Sequence, residues 1–303
     1  RYYSNFDIKG RATSIKPIHY QKYEKGAFSK LWRIELQTKL AEVFIENASR
    51  KRRPFFLYLS YFAPHAPLED IPQKYLHRFD SARIQSRHQF PENRLAGLAS
   101  LAAIDNGVGH ILQKLDSLDI LENTIIFFMS DNGGIDNKSK DNHGISLNHP
   151  WRGGKGQLFE GGIRIPYIVY WKGTLKAQIY DKPVSTLDAG ATAVSLAGGE
   201  IDSMLDGTNL IPHLSGETAK PPHEYLFFRF LDQSAVIKNN WKYIKCADGA
   251  TALYDLSAKK PEVKNVADEH PEITAELQQA LGAWLQGLKP KGEISLKKDW
   301  CDL

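Results

Sequence analysis

Hydrophobic residues in the first half of the chain follow a helical pattern and a strand pattern in turn. Apolar side chains recur at helical spacing from residue 31 to 49, and Pro54 ends that pattern. The nearly continuous apolar run Phe55–Phe62 suits a strand that is covered on both faces of a sheet. A second cycle follows, with a helical pattern over residues 94–118 and another buried strand over residues 124–130.

The alternation continues with a third predicted strand at residues 165–171 and a short helix at residues 187–196. A long segment rich in Gly and Asn runs from residue 131 to 162, and loops of this length in compact domains are usually functional or disordered. Residues 1–30 have no clear periodicity and are expected to be irregular. Repeated strand–helix alternation predicts an α/β fold with a mostly parallel central sheet flanked by helices.

The pattern changes after about residue 222. Short apolar runs are then separated by turn sequences such as Asn239-Asn240, which predicts an antiparallel meander. A helical pattern over residues 271–288 closes the chain. The sequence therefore predicts an α/β domain over residues 1–221 and a small α+β subdomain, of antiparallel strands and one helix, over residues 222–303.

Composition narrows the function classes. The 303 residues include 39 Lys and Arg against 35 Asp and Glu, a net charge of +4, and the two signs alternate along the chain. This pattern argues against a nucleic-acid binder. No run approaches the roughly 18 apolar residues of a membrane span, so none is expected. The two cysteines, Cys246 and Cys301, could pair or stay free, and they do not fix the compartment.

Polar residues follow two of the predicted strands, where ligands of open α/β sheets bind. Asp131 and Asn132 offer two adjacent hard oxygen ligands suited to Ca²⁺ or Mg²⁺, although their spacing alone favours ordinary turn chemistry. His65 lies between two prolines after the Phe55–Phe62 run. Its imidazole could bind an anion or move a proton, or it could simply pack against neighbouring aromatic rings.

The long loop carries a lysine between glycines, Gly153-Gly154-Lys155-Gly156. It is not a phosphate-binding Walker loop, because Gly156 stands where Ser or Thr is required. By itself it is equally compatible with an anion cradle and with a flexible surface loop. In combination, a divalent cation, Lys155 and His65 would neutralise a tetrahedral oxyanion such as sulfate or phosphate.

These segments together resemble the formylglycine-dependent sulfatases of the alkaline-phosphatase superfamily. The resemblance runs from about residue 53 to the C-terminal helix. Its segments are Phe55–Leu59, Ala63–Pro67, Ser130–Gly134, Arg152–Gly156, Glu160–Pro166, Pro183–Asp188 and Leu205–Leu210. The resemblance implies an alkaline-phosphatase-like fold and a sulfate-ester hydrolase, and the pI near 8.8 mildly favours polyanionic substrates.

Site roles follow from the resemblance. Asp131 and Asn132 would supply two ligands to Ca²⁺, with Mg²⁺ as an alternative. Lys155 would contact a sulfate oxygen, and His65 would bind the sulfate and assist protonation of the leaving alcohol. Arg152 is a weaker candidate for a carbohydrate or sulfate contact. The resemblance also implies sulfated polysaccharides or glycosaminoglycans as substrates, and a periplasmic or secreted location.

Three further residues match positions to which the resemblance gives structural roles. Asp105 matches an aspartate in a helix of the family, while Glu160 and Arg164 are expected to order the long loop.

The sequence departs from the family where the nucleophile should be. Formylglycine is made from Cys or Ser in a Cys/Ser-x-Pro/Ala-x-Arg motif, and neither Cys246 nor Cys301 fits it. The early Asp-Asp metal pair of the family is absent too. We therefore expect Arg1 to follow the first part of the domain, and the 303 residues alone to be inactive. Alternatives are a phosphate-ester hydrolase of the same superfamily and a non-catalytic remnant that binds anionic glycans.

Overall fold

The computed structural model places its secondary structure in two compact units. The described residues are 5–6, 12–13, 31–65, 68, 70–87, 90–135, 145–201 and 205–288. Those within 1–87 and 95–120 form the first unit, and those within 88–94 and 121–303 form the second. The sequence instead predicts a division at residue 221, where the pattern of elements changes. This division stays a prediction, because compactness does not test it.

Helices dominate the first unit. Its elements are β1 (Asn5–Phe6), β2 (Ala12–Thr13), α1 (Arg33–Arg50), α2 (Gln73–Leu76), α3 (Ser81–Arg87) and α4 (Pro91–Ser117), whose first turn belongs to the second unit. The core contains Ile34, Tyr75, Ala99, Ala103 and Ile104. The helical periodicities read from the sequence are confirmed by α1 and α4, which lie within a few residues of their predicted bounds.

Helix α4 is long and apolar enough to cross a membrane by length and composition alone. Ala99, Ala103 and Ile104 of this helix are nevertheless buried in the core of the first unit. A core helix passes the same test of length and composition, so the property is weak evidence for a span.

The predicted strand at residues 55–62 is not a strand among the described residues, and this prediction was wrong. The segment has no regular secondary structure and no strand partner there. Its side chains alternate in exposure, because Phe55 packs against Phe44 of α1 with ring centroids 5.9 Å apart, whereas Phe56 and Tyr58 are 70% and 82% exposed. An apolar run reports a preference for burial, but a strand also needs a hydrogen-bonded neighbour.

The described part of the second unit contains two separate sheets. In chain order its elements are β3 (Ile126–Met129), α5 (Glu160–Ile163), β4 (Tyr167–Tyr170), α6 (Leu187–Leu196), α7 (Ile211–Leu214), β5 (Leu226–Phe230), β6 (Gln233–Lys238), β7 (Trp241–Lys245), β8 (Thr251–Asp255) and α8 (Pro271–Gly287). The sequence predicts strands in both regions, and the observed strands fall within or next to the predicted runs.

Strands β3 and β4 pair with each other in antiparallel orientation, with Phe128 opposite Ile168. Every strand pair among the described residues is antiparallel, whereas the sequence predicted mostly parallel pairing for the α/β domain. Hydrophobic runs indicate burial and do not encode the direction of the neighbouring strand. One face of this ladder is open to solvent: Phe128, Ile168 and Tyr170 are 37%, 55% and 40% exposed.

Strands β5 to β8 form the predicted antiparallel meander, in the order β5-β6-β7-β8. One face packs against α8 through Leu277 and Leu281. The opposite face packs against Leu158 and Phe159 from the long loop. The sheet thus positions that loop. Cys246, just after β7, is buried and disulfide-bonded, while Cys301 lies outside the described residues.

Candidate active site

The turn after β3 is held by local hydrogen bonds. The Asn132 N–H donates to Asp131 Oδ1 at 2.9 Å, and the Ser130 hydroxyl donates to the Asn132 carbonyl at 2.9 Å. The Asn132 side-chain amide donates to the Gly133 carbonyl at 2.8 Å. Asp131 is exposed, and within the described residues its Oδ2 and the Asn132 Oδ1 accept no hydrogen bond. Within the described part of the chain, two adjacent residues therefore each keep one hard oxygen without a hydrogen bond.

Backbone hydrogen bonds join this turn to the long loop. The Gly133 N–H donates to the Gly162 carbonyl at 2.9 Å, and the Lys155 N–H donates to the Gly134 carbonyl at 2.8 Å. The approach is so close that a Cβ on Gly133 would lie 1.8 Å from the Gly161 oxygen. Only glycine fits there. The structure thus brings the turn with Asp131 and Asn132 onto the loop that carries Lys155.

Asn148 completes the junction, a role that the sequence analysis missed. Its side-chain amide donates to the carbonyls of Gly134 and Gly153, both at 2.9 Å. Its Oδ1 accepts the Gly134 N–H at 3.0 Å. One side chain therefore satisfies backbone groups of both segments. An asparagine in a Gly- and Asn-rich loop is an ordinary turn former, so no sequence signal separated it from its neighbours.

The segment of residues 152–162, called the lysine loop below, is ordered by hydrogen bonds within itself. The Gly154 N–H donates to the Gln157 side chain at 2.9 Å, and the Gly161 N–H donates to the Arg152 carbonyl at 2.8 Å. Lys155 is half-buried, and its ammonium has no ion-pair or hydrogen-bond partner within the described part of the chain. The described part of the chain therefore gives this positive charge no counter-charge, as an anion site requires.

Arg152, within the lysine loop, and Arg164, just after it, both make hydrogen bonds to other groups of the protein. Arg152 donates to the Tyr254 hydroxyl and to the Glu262 carbonyl, both at 3.1 Å, and its guanidinium lies 4.0 Å from the Phe159 ring centroid. Burial raises the pKa of the Tyr254 hydroxyl, against the opposing effect of Arg152. Arg164 donates to Glu160 at 3.2 Å. These contacts suit anchoring of the loop, and a substrate contact by Arg152 stays a prediction.

His65 belongs to the first unit, whereas Asp131, Asn132, Arg152 and Lys155 belong to the second. It is exposed, and its ring packs against Phe62 with centroids 5.1 Å apart. The backbone N–H of His65 donates to the Phe62 carbonyl at 3.1 Å. This is the aromatic packing that the sequence left open as an alternative. Convergence of His65 with the other site residues stays a prediction.

The donor chemistry at the turn fits a hard divalent cation. A carboxylate oxygen and an amide oxygen are ligands of the kind that Ca²⁺ and Mg²⁺ bind. Within the described residues, no cluster of three or more His, Cys, Asp or Glu side chains could complete such a site. Asp131 and Asn132 would therefore hold one side of the ion, and further ligands would be required.

Comparison with known proteins identifies the family. The family model described as Sulfatase matches residues 5–199, which is more than half of the chain.

The chain belongs to the sulfatase family. It is 31% identical to an N-acetylgalactosamine-6-O-sulfatase from Bacteroides thetaiotaomicron, over 89% of this chain and 55% of that protein. The crystal structure of Ps i-CgsB in complex with k-i-k-neocarrahexaose matches with a TM-score of 0.71 and 29% identity, covering 83% of this chain and 54% of that chain. A phosphonate monoester hydrolase from Silicibacter pomeroyi shares the fold at 18% identity, with a TM-score of 0.65 over 94% of this chain and 65% of that chain.

These matches confirm the alkaline-phosphatase-like fold class and the sulfatase resemblance that the sequence motifs indicated. Sulfatases generally use a metal ion, and the turn of Asp131 and Asn132 lies within the matched region. The chain spans about half the length of these relatives. The substrate of the whole protein is therefore proposed below.

Proposed function

We propose that this sulfatase-family protein hydrolyses sulfate esters of sulfated polysaccharides or glycosaminoglycan-type carbohydrates. The observation that carries the proposal is the backbone junction between the Asp131–Gly134 turn and the lysine loop. It links two candidate metal ligands to a lysine ammonium that has no partner among the described residues. Support for a sulfated carbohydrate comes from the relative named N-acetylgalactosamine-6-O-sulfatase and from the structure of Ps i-CgsB with k-i-k-neocarrahexaose.

The lysine would act on the sulfuryl group directly. A fixed ammonium stabilises negative charge on a sulfate oxygen as the S–O bond to the alcohol breaks. Because the loop is already hydrogen-bonded, Lys155 would need little reorganisation to reach this position. His65 would bind the sulfate and supply a proton to the leaving alcohol, since an imidazole can donate near neutral pH.

Asp131 and Asn132 would hold the metal ion, which we propose is Ca²⁺, with Mg²⁺ as the alternative. When bound, the ion supplies positive charge beside the sulfate and the nucleophile. The nucleophile itself is proposed to be a formylglycine contributed by sequence outside this chain. A periplasmic or secreted location is proposed on the same family grounds, and the disulfide of Cys246 is consistent with an oxidising compartment.

The test is turnover by the complete protein encoded by the gene, assayed with an aryl sulfate and the matching aryl phosphate. We expect release of sulfate to exceed release of phosphate. Preferred release of phosphate would instead identify a phosphate-ester hydrolase. Binding of sulfated glycans without any turnover would identify a non-catalytic glycan-binding protein.

Lys155→Ala should lower kcat for the aryl sulfate by about 100-fold or more, because a fixed transition-state contact is lost. Lys176→Ala, which removes an exposed lysine beyond β4, is the matched control and should leave kcat unchanged. Similar activity of Lys155→Ala and wild type would remove Lys155 from the site.

Asp131→Ala should weaken Ca²⁺ binding at least about tenfold, measured by calorimetry, and should lower turnover with it. Asp248→Ala is the control, because Asp248 is also an exposed turn aspartate and accepts the Ala250 N–H at 2.8 Å. Equal Ca²⁺ affinity in both variants would show that Asp131 only shapes its turn.

A further inference from the structure

A lysine of the second unit is buried among charged groups. The ammonium of Lys242, on β7, lies 2.8 Å from Glu262 Oε1 and 3.0 Å from Glu160 Oε1. The side chains of Lys242 and Glu262 are fully buried, and that of Glu160 is 5% exposed. Replacing such buried ion pairs by apolar side chains is often neutral or stabilising, so stability alone is a weak explanation for the cluster.

The cluster joins three segments of the second unit. Lys242 belongs to β7, Glu160 begins α5, and Glu262 follows β8. Glu262 also accepts the backbone N–H of Glu160 at 2.7 Å through its second oxygen. The start of α5 is therefore bound twice to the same carboxylate, once directly and once through the lysine ammonium.

The charges of the cluster balance through one further residue. Arg164 donates to Glu160 Oε2 at 3.2 Å, so two carboxylates face two cations. Burial raises the pKa of Glu262, and the nearby Glu160 adds to this, although Lys242 and the Glu160 N–H pull in the opposite direction. Loss of the Lys242 ammonium would leave Glu262 buried without its counter-charge.

Glu262 also holds the other end of the lysine loop. Its backbone carbonyl accepts a hydrogen bond from the Arg152 guanidinium at 3.1 Å. Arg152 and Glu160 are the two residues that flank the segment carrying Lys155, and both are bound to Glu262. The buried cluster therefore fixes the two ends of a short segment whose middle carries the Lys155 ammonium.

We propose that Lys242 and Glu262 are positioning residues that set the location of the Lys155 ammonium by tying both ends of its loop to the C-terminal sheet. This deepens the proposed sulfatase function and rests on it for the kinetic readout. Neither residue touches the substrate in this proposal. Their effect reaches the sulfate only through Lys155.

The first test compares Lys242→Met with Leu277→Ala in the complete protein, with an aryl sulfate as substrate. Leu277 is buried in α8 and packs on the opposite face of the same sheet, so its truncation destabilises the sheet without touching the loop. At a temperature where both variants are folded, Lys242→Met should lower kcat about tenfold or more with little change in KM. Leu277→Ala should leave both parameters unchanged. Equal kcat values in these two variants would overturn the proposal.

A double variant separates positioning from charge balance. Lys242→Met with Glu262→Gln leaves Glu160 paired with Arg164, so the melting temperature should recover relative to Lys242→Met alone. The link between Glu160 and Glu262 through the ammonium remains broken, so kcat should stay low. Recovery of kcat together with stability would show that the cluster has only a structural role.

A labelling readout keeps the inference separate from the proposed activity. The rate at which an amine-reactive reagent modifies Lys155 is measured by mass spectrometry, with the exposed Lys176 as internal reference. The ratio of the two rates should shift at least about threefold in Lys242→Met, because amine reactivity follows the local electrostatic environment, and should be unchanged in Leu277→Ala. A shifted ratio in a protein that lacks sulfatase turnover would reject the proposed function and retain the positioning role. An unchanged ratio would reject the positioning role.

Discussion

The two sheets of the second unit differ in how much of their surface the described chain covers. Strands β5 to β8 are covered by α8 on one face and by Leu158 and Phe159 on the other. The β3–β4 ladder leaves Phe128 and Ile168 substantially exposed on one face. Residues at the centre of β6 are buried without interruption, whereas burial along β4 alternates from one residue to the next.

This difference divides the candidate site. The lysine loop is anchored on the covered sheet, through Phe159 and through the charged cluster around Lys242. The Asp131–Asn132 turn instead follows the end of β3, a strand of the partly open ladder. The side of the site proposed to bind the anion therefore rests on a closed core, whereas the side proposed to bind the metal depends on a two-stranded ladder and on its junction with the loop.

Truncation of Phe159 is the strongest way to break this contrast. Phe159 is 1% exposed and packs against Tyr254 with ring centroids 6.4 Å apart. Phe159→Ala should lower the free energy of unfolding by about 3–5 kcal/mol, because it removes a large buried side chain and leaves a cavity. Chemical denaturation followed by circular dichroism measures the change.

Phe128→Ala is the matched variant on the open ladder. Because Phe128 is 37% exposed, less apolar surface is returned to water, and the cost should stay under about 1.5 kcal/mol. A cost equal to that of Phe159→Ala would mean that the open face of the ladder is covered in solution, and the contrast between the sheets would fail.

Gly133→Ala tests the junction between the two halves of the site. Its new methyl group would collide with the Gly161 carbonyl, so the turn and the loop must separate. We expect a loss of about 1–3 kcal/mol of stability, typical of overpacking, together with weaker Ca²⁺ binding. Thermal unfolding and calorimetry measure the two effects.

Gly109→Ala is the control for that substitution, because a Cβ at this position in α4 meets no neighbouring atom within 4 Å. It should leave Ca²⁺ binding intact. If Gly133→Ala retained wild-type Ca²⁺ affinity, the proposed metal-binding turn would not depend on its junction with the lysine loop.

Sequence periodicity predicted the elements whose burial is completed by nearby residues. Helices α1 and α4 and the meander β5–β8 follow directly from their patterns. The segment at residues 55–62 has an equally strong apolar pattern, but no strand among the described residues pairs with it. Strand pairing depends on residues distant in sequence, which an apolar pattern does not report.

The site divides in the same way between local and distant information. Asp131, Asn132 and Lys155 stood out because their residue types and flanking glycines carry recognisable chemistry. Lys242 did not stand out, because a lysine within a strand normally faces solvent. Its burial depends on Glu160 and Glu262, which are 82 and 20 residues away along the chain. Such long-range charge pairing leaves no local pattern.

The smallest expected effect asks whether the two sheets unfold together. A Cβ on Gly282, in α8, meets no neighbouring atom within 4 Å, so Gly282→Ala should stabilise this helix by about 0.5–1 kcal/mol. Because α8 packs on β6 and β7, amide hydrogen exchange should slow in these two strands and stay unchanged in β3 and β4. Gly190→Ala, an equally open position in α6, controls for a general gain in stability. Equal slowing in both sheets after Gly282→Ala would mean that they form one cooperative unit, in which case the open ladder is as firmly held as the covered sheet and both halves of the site share a single stability.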